Sequence, residues 1–328
     1  MKKALFVVLL ATLVACLGFA PTPTHAEYKV KIGGGPTGGT FNTFTNAMAI
    51  YVPKVDPDIK ASAVGSGGSV ENVKRANSGE STFGLCYAVD SALAMQGKLP
   101  KDSNKYDNIR SMGFLYGAPA QLVVRADSPF KSAKDLEGKR VAVGNAGSGA
   151  AASAERFFRH LGVWDKFHPQ FLGYSAAASA FQDGKIDAFW VLVGYPNRSI
   201  IEASVQVKIR LIDVGKDAEA SGFYKAYAYS PATIPAGTYG KDMPACQSFQ
   251  DSCILTTNSK QPEDLVYRVM KALWSKEGME AMTAAKKTFK TMTIENNFKG
   301  ASVPLHKGAY KFWVEKGVKV PDNLKPTD

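Results

Sequence analysis

Cysteine and histidine are scarce in this chain, which has four of each among its 328 residues. The four histidines are scattered, and no cysteines and histidines have the spacing of a zinc site. The sequence therefore predicts no metal centre.

Motifs that bind nucleotides or perform catalysis are also missing. The stretch GNAGSGA, residues 144–150, lacks the Gly-Lys-Ser/Thr ending of an NTPase phosphate loop. The stretch GGGPTGGT has the spacing Gly-x-Gly-x-x-Gly at Gly33, Gly35 and Gly38, but no acidic residue ends a second strand about 20 residues on. No serine lies in a nucleophile elbow, and no histidine has a plausible catalytic partner in sequence. These absences argue against an enzyme and against a bound cofactor.

Like charges are not grouped in blocks of five or six, the pattern typical of a nucleic-acid-binding tail. The net charge is +11, and it falls to +9 without residues 1–26, which contain Lys2 and Lys3 and no acidic residue. A dispersed positive charge suits small anionic ligands or a membrane surface, and we expect no nucleic-acid partner.

Long apolar runs are confined to the first residues. The chain opens with MKK, continues with an apolar run over residues 4–15 and reaches the small-residue site THA at 24–26, which is the pattern of a secretory signal peptide. A competing interpretation is lipid anchoring at Cys16, because LVAC resembles a lipobox, but the apolar character continues to Ala20. We expect residues 1–26 to be a signal peptide and the mature protein to lie in the periplasm.

Three cysteines follow residue 26, an odd number in a compartment where thiols pair. Cys246 and Cys253 pair only if the chain doubles back and brings their Cα atoms within roughly 7 Å. If residues 246–258 form one extended strand, seven steps of about 3.3 Å keep them apart. Both alternatives stay open, whereas Cys86, inside an apolar run, is expected to be buried.

A strand, a glycine-containing loop and a helix follow one another three times along the chain. YKVKIGGG precedes a helix that Pro53 is expected to end, and DIKASAVGSGG precedes a helix with Ser69 as N-cap and Gly79 as its stop. RVAVGNAGSG precedes a helix that ends at Gly162. These units predict an α/β fold with right-handed crossover connections.

Later segments continue the pattern. IDAFWVLV has the composition of a fully buried strand, and it follows a helix that ends at Gly184. QPEDLVYRVMKALW and PLHKGAYKFWVEKG predict helices, the second introduced by His306. No low-complexity linker is present, so we expect a second domain to be inserted into the first, with IRSMGFLYGAPAQLVVRAD crossing between them and AYAYSPATIPAGTY returning.

The three glycine loops, Gly33–Thr40, Gly65–Ser69 and Gly144–Ala150, all precede a predicted helix. A helix N-terminus offers free N–H groups and partial positive charge, and small residues let an anion approach them closely. One such loop alone is explained by a tight turn, but three in the same position favour anion binding. Loops from two domains that face each other across a cleft would hold an anion by hinge closure.

The same stretches carry a family resemblance. The segments that carry it are, in order, GGGPTGGTF, GSGGSVENV, GKRVAVGNAGSGA, DGKIDAFW, YSPATIPAGTY, PEDLVYRVMKALW and PLHKGAYKFW. They resemble the TAXI family, the solute-binding receptors of one branch of tripartite ATP-independent periplasmic (TRAP) transporters. The resemblance implies a type II periplasmic-binding-protein fold of two α/β lobes joined by crossover hinge strands, with residues 27–115 and 236–328 in lobe I and 116–235 in lobe II.

The resemblance also implies a function. Such a receptor closes on a small organic anion, a carboxylate or acidic amino acid, and delivers it to TRAP-type membrane permease subunits. A ligand-sensing partner of a sensor kinase and the binding protein of an ATP-driven (ABC) importer are the alternatives.

Ligand contacts are expected in the glycine loops and at the end of the fourth unit. The family's contacts carry over to Gly39, Thr40, Phe41, Gly68, Ser69, Glu71, Gly147, Ser148, Gly149, Asp187 and Trp190, and Tyr87 is added as an aromatic residue at a strand end. Glu71 is alternatively an ordinary first-turn acid, and its presence in the pocket would favour an amino acid as ligand.

Two departures from the family's pattern bear on the ligand. Ala150 stands where the family usually has a hydroxyl residue, and Tyr87-Ala88-Val89 replace a polar triplet, with Asp90 one place later. Both make the pocket less polar, so the sequence favours a smaller, partly apolar carboxylate over glutamate.

Overall fold

The computed structural model describes residues 27–37 and 39–327, and the predicted signal peptide and Cys16 lie outside them. The elements from the amino terminus are β1 (Tyr28–Gly33), α1 (Thr40–Val55), β2 (Ile59–Val64), α2 (Ser69–Ser78), β3 (Phe83–Tyr87), α3 (Ala88–Met95), β4 (Ile109–Arg125), β5 (Arg140–Ala142), α4 (Gly149–His160), β6 (His168–Gln170), α5 (Tyr174–Gln182) and β7 (Ala188–Leu192). They continue with α6 (Arg198–Gln206), β8 (Ile209–Ile212), α7 (Val214–Ser221), α8 (Phe223–Ala226), β9 (Ser230–Ile234), β10 (Cys246–Asn258), α9 (Glu263–Leu273), α10 (Lys276–Ala285) and α11 (Lys307–Glu315). Short 3₁₀ turns cover Ala133–Leu136, Trp164–Lys166, Lys287–Thr291 and Asp322–Leu324.

The strands form two half-sheets that share one continuous path. Its order is β2-β1-β3-β10-β4-β7-β5-β6, with β8 paired to β4 and β9 paired to β10. In the first half β1 is parallel to β2 and β3, and in the second half β5 is parallel to β6 and β7. The predicted α/β fold of two lobes is confirmed, with β4 and β10 as the antiparallel strands between them.

Strand β4 crosses from one half to the other, as predicted. Its residues 109–119 pair with β10, and its residues 120–125 pair with β7 and β8. The predicted return through AYAYSPATIPAGTY is wrong, because that segment forms the short edge strand β9, which contains Pro231 and pairs only with β10. Proline has no N–H for a second ladder, which restricts β9 to an edge. The strand beside β4 is β10, and the lobe boundaries at 115/116 and 235/236 stay predictions.

Two predicted helix boundaries differ from the structure. Helix α1 continues past Pro53 to Val55, because a proline in the last turn removes only one N–H from the helix. The N-cap of α2 is Gly68, at φ 125°, and the Ser69 hydroxyl instead accepts a hydrogen bond from the Tyr87 N–H at 2.8 Å. The predicted stop at Gly79 is confirmed by its left-handed conformation, φ 80°.

The hydrophobic core is continuous through both halves. Strand β7 is buried along its whole length, as its sequence predicts, and Phe44 on α1 and Phe83 on β3 are fully buried in the first half. His306 caps α11 by accepting a hydrogen bond from the Gly308 N–H at 3.1 Å, which confirms its predicted place at the start of that helix.

The three cysteines of the described chain are free and buried. Cys246 and Cys253 lie on one extended strand, β10, which resolves the sequence alternatives in favour of unpaired thiols. Cys86 is fully buried, as predicted. Within residues 27–37 and 39–327, no helix combines the length and apolar character needed to cross a bilayer.

Candidate ligand-binding site

A small cavity of about 40 Å³ lies between the two halves, where several helices begin. We call it the cleft cavity. It is lined by Pro36, Gly39, Thr40, Phe41, Gly67, Gly68, Ser69, Tyr87, Asn145, Ser148, Gly149, Ala150, Gly173, Tyr174 and Val193. No charged side chain is among these lining residues.

Four helices start at the cleft cavity. Their first residues are Thr40 of α1, Ser69 of α2, Gly149 of α4 and Tyr174 of α5, two from each half. The first N–H groups of a helix have no partner within the helix, and the helix dipole adds partial positive charge there. The cavity thus has the electrostatic character of an anion site without any cationic side chain.

The structure brings eight of the twelve predicted residues together. These are Gly39, Thr40, Phe41, Gly68, Ser69, Tyr87, Ser148 and Gly149. Those of the first half come from the loops after β1 and β2 and from the end of β3, which lie at one sheet edge because these strands are parallel. Ser148 and Gly149 follow β5 of the second half and face them across the cavity.

Glu71 and Gly147 lie beside the cavity but do not line it. Glu71 Oε2 accepts a hydrogen bond from the Gly67 N–H at 2.7 Å, and its Oε1 lies 2.5 Å from Arg75 Nη2. Both oxygens of this carboxylate therefore have partners in α2 or in the loop before it. Gly147 contributes its carbonyl oxygen, which accepts a hydrogen bond from the Glu71 N–H at 3.3 Å.

Asp187 and Trp190 are placed elsewhere. Asp187 forms a two-point ion pair with Arg140, with 2.8 Å between Oδ1 and Nη2 and 3.1 Å between Oδ2 and Nε, and this pairing lowers the pKa of Asp187. Trp190 is a core residue: its ring stacks on Phe157 at 5.5 Å, and its Nε1 donates to Ser153 Oγ at 3.0 Å. Neither residue therefore lines the cleft cavity, because Arg140 holds Asp187 and aromatic packing encloses Trp190.

The two halves are in contact across the cavity. Besides the bond between Glu71 and Gly147, the Tyr87 hydroxyl donates to the Leu192 carbonyl oxygen at 2.5 Å. A Cβ atom on Gly149 would lie 2.8 Å from Ser69 Cβ, so the start of α4 touches the start of α2. The structure is therefore the closed arrangement of the two halves.

Several hydroxyl groups surround the enclosed space. Thr40 Oγ1 is buried and has no hydrogen-bond partner in the described part of the chain. Ser148 caps α4 by accepting from the Ala151 N–H at 3.0 Å. The hydroxyls of Tyr87 and Tyr174 both donate to the Leu192 carbonyl oxygen, at 2.5 Å and 3.0 Å, and burial raises the pKa of each well above its usual value.

One wall of the cavity is apolar. The rings of Phe41 and Tyr87 are 5.0 Å apart and tilted by 53°, and Ala150 and Val193 continue this wall. Of the residues at which the sequence departs from the TAXI pattern, Ala150 and Tyr87 lie on the lining.

Sequence reasoning missed part of the second half's contribution, including Asn145, Gly173, Tyr174 and Val193. Gly173 and Tyr174 begin α5 directly after β6, so they repeat the strand-loop-helix arrangement of the other loops. That repeat was not recognised because β6 has only three residues and shows no alternating pattern. Asn145 belongs to the third glycine loop. A Cβ atom on Gly173 would lie 2.7 Å from Asn145 Oδ1, so the two loops are in contact.

An α/β fold of two lobes, two crossover strands and a cavity between the lobes defines the periplasmic-binding-protein fold. A model of the NMT1-like family matches residues 32–317, and the chain belongs to that family.

Solved structures with similar folds share little sequence with this chain. XAC2383 from Xanthomonas citri, solved with a bound chloride ion, is 10% identical with a TM-score of 0.51, and the match covers 88% of this chain and 95% of that one. The periplasmic aliphatic sulphonate-binding protein SsuA from Escherichia coli is 15% identical with a TM-score of 0.44, and the match covers 88% and 83% of the two chains. A putative L-cystine ABC transporter protein from Listeria monocytogenes is 12% identical with a TM-score of 0.47, over 80% and 95%.

Proposed function

We propose that this protein is a periplasmic solute-binding protein that captures a small organic anion by closure of its two halves and delivers it to a membrane transporter. The observation that carries the proposal is the convergence of four helix N-termini from both halves on one enclosed cavity. Such a site holds an anion only while the halves are together, which is the property that a capture-and-release receptor needs. The lining contains hydroxyl groups but no carboxylate, imidazole, ammonium or thiol that would serve as an acid or base beside them, in keeping with a binding protein.

The lining favours a carboxylate or similar anion over an acidic amino acid. An ammonium group would need an anionic or carbonyl partner in the cavity, and the Glu71 carboxylate is held by Gly67 and Arg75 instead. The apolar wall of Phe41, Tyr87 and Ala150 suits a short hydrocarbon portion. We therefore propose a small monoanion with one apolar end as the solute.

The proposal also concerns the class of transporter that receives the solute. The resemblance to the TAXI family points to TRAP-type permease subunits, whereas membership of the NMT1-like family supports the alternative, an ABC importer, better. The energy source separates them: uptake into membrane vesicles that contain the cognate permease is driven by an imposed ion gradient in a TRAP system and by ATP in an ABC system. If the partner is a sensor kinase, neither the ion gradient nor ATP should drive uptake.

The central experiment identifies the solute and tests its site. Protein purified under native conditions is denatured, the released small molecules are identified by mass spectrometry, and binding is measured by titration calorimetry against carboxylates and amino acids. Thr40→Val removes the unpartnered hydroxyl and should weaken binding about tenfold to a hundredfold, because a hydrogen bond to a charged group contributes about 1.5–3 kcal/mol.

Thr43→Val is the matched control, since Thr43 lies on the same helix outside the cavity lining. Equal affinities for the two variants, or the absence of any bound organic anion, would contradict the proposal.

A further inference from the structure

A second cavity, of about 620 Å³ and open to solvent, lies beside the crossover strands. We call it the lysine cavity. It is lined by Tyr116, Gly117, Gly194, Tyr195, Pro196, Thr238, Gln250, Lys286, Lys287, Thr288, Lys290 and Thr291. The two cavities share no lining residue.

Three lysines, Lys286, Lys287 and Lys290, line this space, and no acidic residue is among its lining. None of Lys286, Lys287 and Lys290 has an ion-pair partner among residues 27–37 and 39–327. Lys286 is half-buried, and burial lowers its pKa with no neighbouring carboxylate to offset the effect. A desolvated cation without a counter-charge is unfavourable unless an anion binds beside it.

The lysines are held in place by a packed turn. Phe289 is fully buried, and its ring lies 4.8 Å from that of Phe44 and 5.6 Å from that of Tyr116. Thr291 Oγ1 donates a hydrogen bond to the Leu115 carbonyl oxygen of β4 at 3.1 Å. The turn Lys287–Thr291 is thereby fixed on the crossover strand, and its two lysines are among the residues that line the cavity.

The walls of the lysine cavity come from both halves. Tyr116 and Gly117 belong to β4 and Gln250 to β10, whereas the segment 194–196 follows β7 of the second half. Thr288 packs directly against Gly194, where a side chain would collide with it. An occupant of this cavity would therefore contact both halves at the hinge.

We infer that the lysine cavity is a second anion site, which binds compact anions of two or more charges such as phosphates or tricarboxylates. Three cations suit a multivalent anion, whereas the uncharged lining of the cleft cavity suits a monoanion. The inference does not depend on the solute of the cleft cavity or on transport. Its occupant bridges the halves, so binding here and closure of the halves are thermodynamically coupled.

Titration calorimetry at low salt, with pyrophosphate, citrate and acetate as probes, tests the inference. We expect pyrophosphate or citrate to bind with one-to-one stoichiometry and acetate not to compete. Lys286→Gln and the double variant Lys287→Gln/Lys290→Gln should each weaken the binding of these polyanions about tenfold or more. Lys286→Arg, which keeps the charge, should retain affinity within about threefold, and Lys299→Gln, an exposed lysine outside both cavities, should change nothing.

The outcomes separate this site from the cleft cavity. Polyanion affinities of the lysine variants equal to that of the unaltered protein, or no polyanion binding at low salt, would overturn the inference. If Thr40→Val weakens polyanion binding and the lysine variants do not, the polyanion occupies the cleft cavity; the lysine site is then wrong while the proposed receptor function stands. If the lysine variants alone respond and no solute binds the cleft cavity, the receptor function fails and the lysine site stands.

Discussion

The guanidinium of Arg156 on α4 and the carboxylate of Asp90 on α3 form a buried ion pair that joins the two halves, with 2.8 Å between Nη2 and Oδ1. The Arg156 side chain is 5% exposed and the Asp90 side chain is fully enclosed. The Tyr229 hydroxyl accepts hydrogen bonds from Arg156 Nε at 2.9 Å and Nη2 at 2.7 Å. Because neither charge reaches water, separating the halves would break the pair or expose it.

Removal of one partner should be strongly destabilising. Arg156→Met leaves the Asp90 carboxylate buried without its cation, and we expect a loss of about 3–5 kcal/mol in the free energy of unfolding. Arg159→Met is the matched control, because Arg159 lies on the same helix and its ion pair with Glu155 is half exposed; its loss should be below about 1 kcal/mol. Urea unfolding followed by circular dichroism gives both values, and similar losses for the two variants would refute a structural role of the buried pair.

A single methyl group at Gly149 should prevent full closure. A Cβ atom there would lie 2.7 Å from Asp90 Oδ2 and 2.8 Å from Ser69 Cβ, and it would also collide with the Tyr87 ring, all in the first half. We expect Gly149→Ala to cost the closed state about 1–3 kcal/mol, to increase the radius of gyration in solution X-ray scattering and to weaken solute binding.

The control for this substitution is Gly65→Ala. Gly65 belongs to another glycine loop, and no atom lies within 4 Å of the position that its Cβ would take. Its scattering curve should match that of the unaltered protein. A Gly149→Ala protein as compact as the control would mean that the contact between α4 and α2 does not limit closure.

Much of the fold was predictable because its determinants are local. The stops at Gly79, Gly162 and Gly184 all have positive φ, which glycine adopts without strain, so each helix end is encoded at one position. The burial of β7 follows from its unbroken apolar run. No local pattern identifies the second crossover strand, because it is defined by its pairing with β4, which is more than 120 residues away in sequence.

The sequence predicts the loops that line the site but not the tertiary contacts that surround it. The glycines at 39, 68 and 149 mark helix starts, which a local pattern reveals. Ser69 is not the N-cap that the sequence predicts, because its hydroxyl accepts from the Tyr87 N–H of strand β3, 18 residues along the chain. Asp187 and Trp190 were assigned by resemblance, and only tertiary contacts reveal that Arg140 and Phe157 hold them.

Stability should depend on pH through Asp251 of β10. Burial, and next the charge of Asp90, raise the pKa of Asp251 to about 8, while Arg156 and the N–H groups of Val89 and Ser252 oppose the shift. In the unfolded chain an aspartate releases its proton near pH 4. Between these values the folded protein binds more protons than the unfolded chain, so the contribution of Asp251 to stability decreases as pH rises from about 4 to about 8.

Asp251→Asn removes this contribution, because an amide does not titrate and its oxygen still accepts from the Ser252 N–H, now 2.8 Å from Asp251 Oδ1. Melting temperatures measured from pH 5 to pH 9 should fall less steeply for the variant than for the unaltered protein. Parallel curves over this range would indicate that Asp251 is ionised in the folded state.

The buried thiols should be unreactive in the folded protein. Cys86, Cys246 and Cys253 are at most 4% exposed, and burial raises the pKa of Cys86 to about 12 and that of Cys253 well above its usual value. Since the thiolate is the reactive species, Ellman's reagent at pH 8 should modify none of them before unfolding and all three in guanidinium chloride. The measurement uses protein in which Cys16, outside the described residues, is replaced by serine. One reactive thiol after unfolding instead of three would indicate a disulfide and contradict the extended geometry of β10.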